Sequence, residues 1–178
     1  ILRVAHERGI RALDTASSSG SSESVIGAFG SDSWRITTKL AALPDDCQDV
    51  STWVEDQIRA SLRRLDVAAV HAVLLHRPDD LLGCNGDQLL DALNACRSLG
   101  LFEAQGVSLY SADDLERFIG RFRIDAVQLP YNILPRARRR RARTGVAGTR
   151  HRGAGALHLP PGTSAPAVRG ADPKVSLG

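Results

Sequence analysis

No stretch of this chain runs to about 18 consecutive apolar residues, and no basic-then-apolar leader opens it. A spanning helix and a signal peptide are therefore not expected, and the sequence reads as soluble and cytoplasmic. Cysteine is scarce: three residues, an odd count without a C-x-x-C pair. That argues against a disulfide scaffold and a structural zinc site and suits a reducing compartment. No cluster of His, Cys and carboxylates stands at metal-ligating spacing, so no metal is expected. Neither G-x-G-x-x-G nor G-x-x-x-x-G-K-[ST] occurs. Ser17 to Ser24 lies where amides cradle a phosphate in other proteins, but it reads better as an ordinary loop between strand and helix.

The chain contains 178 residues, about one domain, with 43% apolar residues, enough to bury a core. Its net charge of +3 averages two unlike pieces. Residues 1–134 carry 13 Lys/Arg against 19 Asp/Glu, while residues 135–178 carry 10 against Asp172 alone. The second piece lacks Phe, Trp and Tyr, and Arg, Ala, Gly and Pro supply 29 of its 44 residues. Such a composition is what a GC-rich gene read out of frame produces, and an irregular, disordered or out-of-frame tail is expected. Its run Arg136 to Arg143 makes nonspecific nucleic-acid adhesion plausible on charge. Without an aromatic to stack on bases, a dedicated nucleic-acid role is not favoured.

Within residues 1–134, β-rich runs alternate with amphipathic stripes. Strands are predicted over residues 10–16, 35–40, 67–76, 104–110 and 125–131. The third is apolar almost throughout, as in a strand buried on both faces, with His71 as a core histidine. Val54, Ile58, Ser61, Leu62 and Leu65 form one helical stripe, with Ser51 as its expected N-cap and Glu55 and Asp56 near its positive end. Leu89, Leu90, Leu93 and Cys96 form a second, with Gly100 as its cap. Leu115, Phe118, Ile119 and Phe122 form a third, entered through Ser111 and Asp114. Residues 1–8, followed by Gly9, read as the end of a helix already under way. Alternation at this spacing implies right-handed βαβ units and a parallel sheet. It suits an open doubly wound sheet or part of an eight-stranded barrel, in a chain that looks cut at both ends.

Reactive groups gather at the carboxyl ends of parallel strands. Here those positions hold Asp14, Lys39, His76, Ser108 and Gln128. Each alone has a bland reading, as a helix cap, a solvated strand end or a loop histidine. Five at equivalent places point to one chemical mouth.

The text carrying these residues resembles the aldo/keto reductases. The matching motifs are Gly9-Ile-Arg-Ala-Leu-Asp-Thr-Ala16, Ser22-Glu23 with Ile26-Gly27, Ile36-Thr-Thr-Lys-Leu40, and Ser61-Leu-x-Arg-Leu65. They continue with Leu74-Leu-His-Arg-Pro78, Gly106-Val-Ser108 and Val127-Gln-Leu-Pro-Tyr131. The resemblance covers residues 1–134 and implies an α/β fold, a partial (β/α)8 TIM barrel comprising strands two to six. It implies NADPH-dependent reduction of an aldehyde, ketone or sugar carbonyl. Asp14 and Lys39 would be the carboxylate–ammonium pair that lowers a tyrosine's pKa, His76 would orient the carbonyl, and Ser108 and Gln128 would hold the nicotinamide carboxamide.

Two departures stand out. The tyrosine position holds Ser19, whose hydroxyl is a far weaker and shorter acid, so activity is expected to be impaired. Tyr110 and Tyr131 are the only tyrosines, and are expected to pack or line the cofactor site. Nothing after Leu134 supplies the stacking ring or phosphate grip of the last strands, so NADP(H) is expected to bind weakly. Open sheet edges also invite self-association. A non-catalytic scaffold, or a nucleic-acid-associated protein using the basic tail, is the alternative reading.

Overall fold

The computed structural model describes residues 1–119, 121–130 and a short strand at Gly155–His158. The rest of the tail, with its arginine run, and Tyr131 lie outside the described residues. In chain order the elements are α1 (Leu2–Glu7), β1 (Ala12–Asp14), α2 (Ser22–Phe29), β2 (Arg35–Leu40), α3 (Val50–Leu65) and β3 (Val70–Leu75). A 3-10 helix over Pro78–Leu82 leads into α4 (Gly86–Ser98) and β4 (Phe102–Ser108). A second 3-10 helix, Ala112–Arg117, precedes β5 (Ala126–Leu129), and Gly155–His158 forms β6. Among the described residues no helix is long and apolar enough to cross a membrane.

The strands lie in the order β1-β2-β3-β4-β5-β6. The first five pair parallel, in agreement with the predicted partial barrel. Within the tail, the short strand β6 pairs antiparallel with β5. Backbone donors and acceptors along an open strand edge are available to any extended segment, and this one contains no proline.

Alternation places Ile36, Thr38 and Leu40 of β2 against the helices and leaves Thr37 and Lys39 on the other face. The core between sheet and helices joins Ile36, Leu40, Val73, Leu75, Val107 and Val127 to Val54, Ile58, Leu62 and Leu65 of α3 and Leu89, Leu93 and Cys96 of α4. Full burial of each such large side chain is worth about 1.5–3 kcal/mol. Close approach matters at Gly106, where a Cβ would stand 1.9 Å from the Ala126 carbonyl oxygen. Only glycine lets β4 and β5 come this near.

Several local expectations change. Helix α3 starts at Val50, with Asp49 rather than Ser51 as its N-cap, accepting a hydrogen bond from the Thr52 amide. Glu55 accordingly lies beyond the first turn and pairs with Arg59 at 2.7 Å. Helix α4 closes as expected on Gly100, which follows Leu99 with φ +74° and donates to the Arg97 carbonyl at 2.9 Å. The predicted helix through Leu115 and Phe122 is only the 3-10 turn Ala112–Arg117, with the Ser111 hydroxyl accepting from Asp113 instead of pairing with Asp114. His71 is half-buried between Arg35 and Glu103, 2.8 Å from each, rather than enclosed in the core.

Candidate active site

The carboxyl ends of β1, β2, β4 and β5 are joined by one chain of polar contacts. Lys39 sits on the face of β2 turned away from the helices, with its side chain only 11% exposed. A largely buried ammonium needs partners. It finds them in the Asp14 carboxylate, Nζ to Oδ1 2.7 Å, and the Thr15 carbonyl at 3.0 Å. The other Asp14 oxygen accepts from Gln128 Nε2 at 2.7 Å. The Ser108 hydroxyl points at Gln128 Oε1, a long 3.4 Å contact.

The Asp14–Gln128 bond also measures the curvature of the sheet. Four strand spacings of about 4.8 Å would separate β1 from β5 by about 19 Å in a flat sheet. Their side chains nevertheless meet at 2.7 Å, so the five parallel strands curl into a half-barrel and the polar residues face one another across its mouth.

His76 follows β3, and its amide donates to the Leu40 carbonyl at 3.1 Å, which fastens it beside β2. Its imidazole is exposed, with Nδ1 3.3 Å from Ser18 Oγ. The loop from β1 to α2 reaches both neighbouring strand ends. The Ser17 hydroxyl donates to the Lys39 carbonyl at 3.0 Å, and Ser18 lies against His76. Ser19 stands on the same loop but is exposed, and its hydroxyl makes no hydrogen bond among the described residues. Gly20, with φ +59°, completes this turn. Asp14, Lys39, Ser108 and Gln128 thus come together directly, His76 joins them through the serine loop, and Ser19 remains apart.

A cavity of about 480 Å³ opens beside this network. His76 and Ser108 line it together with Arg77, Asp79, Tyr110 and Arg117, while Asp14, Lys39 and Gln128 lie outside its wall. Its rim is charge-paired: Arg117 bonds Asp79 at 2.8 Å. The Asp80 carboxylate holds Arg77 in its cationic form, raising its already high pKa. No group of three or more potential metal ligands exists among the described residues.

The Ser18–His76 contact was not foreseen from the sequence. Three adjacent serines carry no spacing signal to say which one reaches a neighbour. Glu23 was legible only as part of a motif. Its carboxylate is 1% exposed and receives the Thr38 hydroxyl at 2.6 Å and Arg64 at 2.7 Å, so it binds α2 to β2 and α3.

The sequence profile of the aldo/keto reductase family matches residues 1–152. The chain belongs to that family. Aflatoxin B1 aldehyde reductase member 2 of Rattus norvegicus is 35% identical over 121 residues, covering 62% of this chain and 32% of that protein. An aldo-keto reductase of Mycolicibacterium vanbaalenii is 35% identical over 122 residues, covering 66% and 42%. The crystal structure of an aldo-keto reductase from Pseudomonas aeruginosa superposes with a TM-score of 0.63 at 26% identity, over 78% of this chain and 57% of that one. This aldo/keto reductase chain therefore spans less than half the length of the curated relatives it matches.

Proposed function

We propose that this aldo/keto reductase chain carries an NADPH-directed carbonyl-reduction site in which proton delivery is impaired. The observation that carries the reading is the Lys39–Asp14–Gln128–Ser108 network across the mouth. Its residues fit a nicotinamide on one structural ground. The Gln128 side chain is itself a primary amide, and it is received by a carboxylate acceptor on one side and a hydroxyl donor on the other. A nicotinamide carboxamide offers the same donor and acceptor pattern. Ser108 and Gln128 would hold that group.

Bound NADPH supplies a hydride to the carbonyl carbon, and the substrate oxygen then needs a proton. Lys39 keeps a positive charge at the mouth, fixed by Asp14 and the Thr15 carbonyl. Such a preorganised charge favours negative charge developing on a nearby oxygen. What the network lacks is an acid of suitable strength beside Lys39, because Ser19 is exposed and bonds neither Lys39 nor His76. General acid catalysis is worth roughly 10²–10⁴ in rate, and a loss of that order is expected. The two arginines that line the adjoining cavity, Arg77 and Arg117, are already paired with Asp80 and Asp79, which supports weak cofactor binding. The substrate is a small aldehyde, ketone or sugar carbonyl.

The test is titration of the full chain with NADPH, followed by nicotinamide fluorescence, together with turnover on a panel of aldehydes. Weak saturable binding that Gln128→Ala diminishes is expected, with slow turnover that Ser19→Tyr raises at least about tenfold, within the range of acid catalysis. Absence of binding at millimolar NADPH would remove the cofactor assignment. Binding with no gain from Ser19→Tyr would remove Ser19 as the position of the lost acid.

A further inference from the structure

We propose that His76 delivers the proton to the substrate oxygen through Nε2, with Ser18 as the positioning residue that holds Nδ1. This rests on the nicotinamide-site reading above and names the acid that reading leaves open. The other groups at the mouth are unsuited to the role. Lys39 is committed to Asp14 and to the Thr15 carbonyl. Serine hydroxyls are too weakly acidic to protonate a carbonyl oxygen near neutrality. Tyr110 lines the same cavity, but it is 86% exposed and no hydrogen bond among the described residues fixes its phenol. Acid catalysis requires a donor held in place.

His76 meets the requirements. It lines the cavity beside Ser108, its backbone is tied to β2, and its Nδ1 has a hydroxyl partner at 3.3 Å. Its Nε2 makes no hydrogen bond among the described residues, leaving that atom for a ligand in the cavity. Among side-chain types present here, imidazole is the one that ordinarily exchanges a proton between pH 5 and 8. The groups around it are Ser18 from the β1–α2 loop, Arg77 and Asp79 after β3, and Tyr110, Asp114 and Arg117 after β4. Arg117 is paired with Asp79, and Arg77 with Asp45 and Asp80.

The step balances. With NADPH as the hydride donor, leaving as NADP⁺, a C–H bond of the reduced nicotinamide would break as the new one forms at the carbonyl carbon, and the C–O π electrons would move to oxygen, which would take the Nε2 proton from the imidazolium. Neutral His76 keeps its Nδ1 proton, donated to the Ser18 hydroxyl, and recovers the lost one from water, to which the ring is exposed.

The experiment combines two measurements on the full chain. The first is the pH profile, from pH 5.5 to 8.5, of NADPH-dependent turnover of a small aldehyde in the native chain, Ser18→Ala, His76→Asn and Tyr110→Phe. The second is histidine nitrogen NMR, in which His76→Asn identifies the signals of His76. The expected rate has an alkaline limb. His76→Asn abolishes that limb and lowers turnover at least about 10². Ser18→Ala displaces the limb and the His76 Nδ1 resonance while NADPH affinity stays within about twofold, and Tyr110→Phe retains the limb. A flat native profile, loss of the limb in Tyr110→Phe, or an unmoved His76 resonance in Ser18→Ala overturns the proposal while the nicotinamide-site reading stands. So does NADPH binding without any turnover. Failure to bind NADPH overturns that reading first, and this proposal with it.

Discussion

Replacing Glu23 by alanine tests whether the mouth is held from behind. Glu23 points away from the mouth, yet its carboxylate binds Thr38, the neighbour of Lys39 in β2, and Arg64 of α3. With Glu23 gone, an arginine and a hydroxyl lose their acceptor in a nearly dry setting. Breaking a buried ion pair by removing one partner costs about 3–5 kcal/mol. Arg64 is 35% exposed, so water partly rescues it and the lower end, about 3 kcal/mol, is expected. At a few degrees per kcal/mol for a domain of this size, the melting temperature should fall by about 10 °C. Urea unfolding followed by circular dichroism reads the free energy, and Glu23→Gln, which keeps the shape, should lose less than Glu23→Ala. A loss under about 1 kcal/mol for Glu23→Ala, the scale of an exposed pair, would refute the claim that this carboxylate joins α2, β2 and α3.

Other consequences are narrower. Gly106→Ala should cost at least about 1–3 kcal/mol by overpacking and weaken NADPH binding, because its Cβ would press the Ala126 backbone and Leu74 and spread β4 from β5; urea unfolding checks the first effect. The Thr52 amide holds the Asp49 carboxyl below the usual carboxylate range. A lowered folded pKa contributes stability above the unfolded value and loses it as pH falls through the folded one, so Asp49→Ala should lower the melting temperature at pH 7 and make no difference well below about pH 4. Burial pushes the Cys96 thiol upward, so a thiol reagent at pH 8 should label exposed Cys84 at once and Cys96 only after unfolding.

The parts of this fold legible in the sequence are those written as repeats. Period-two and period-3.6 patterns locate β2 and α3 because one face of each must meet the core. The strand-end positions then place Asp14, Lys39, Ser108 and Gln128 at one mouth. Where the physics is local geometry, the sequence is ambiguous. Ser51 and Asp49 are both capping residues, and only the turn before α3 decides for Asp49. The apolar spacing of Leu115, Phe118 and Phe122 fits an α-helix, but Gly120 lies inside it, at a cost of about 1 kcal/mol. A short 3-10 turn forms instead. Loop contacts are the hardest to read. Ser17, Ser18 and Ser19 are chemically identical, and their bonding to Lys39, His76 or neither is set by how the β1–α2 loop lies over the ends of β2 and β3.

The most direct test of the account is amide NMR of the full chain as NADPH is added. Concerted movement of the Asp14, Lys39, His76, Ser108 and Gln128 signals, with half-saturation shared among them, is the predicted result. Movement confined to residues elsewhere, or no movement of these five at millimolar NADPH, would contradict it.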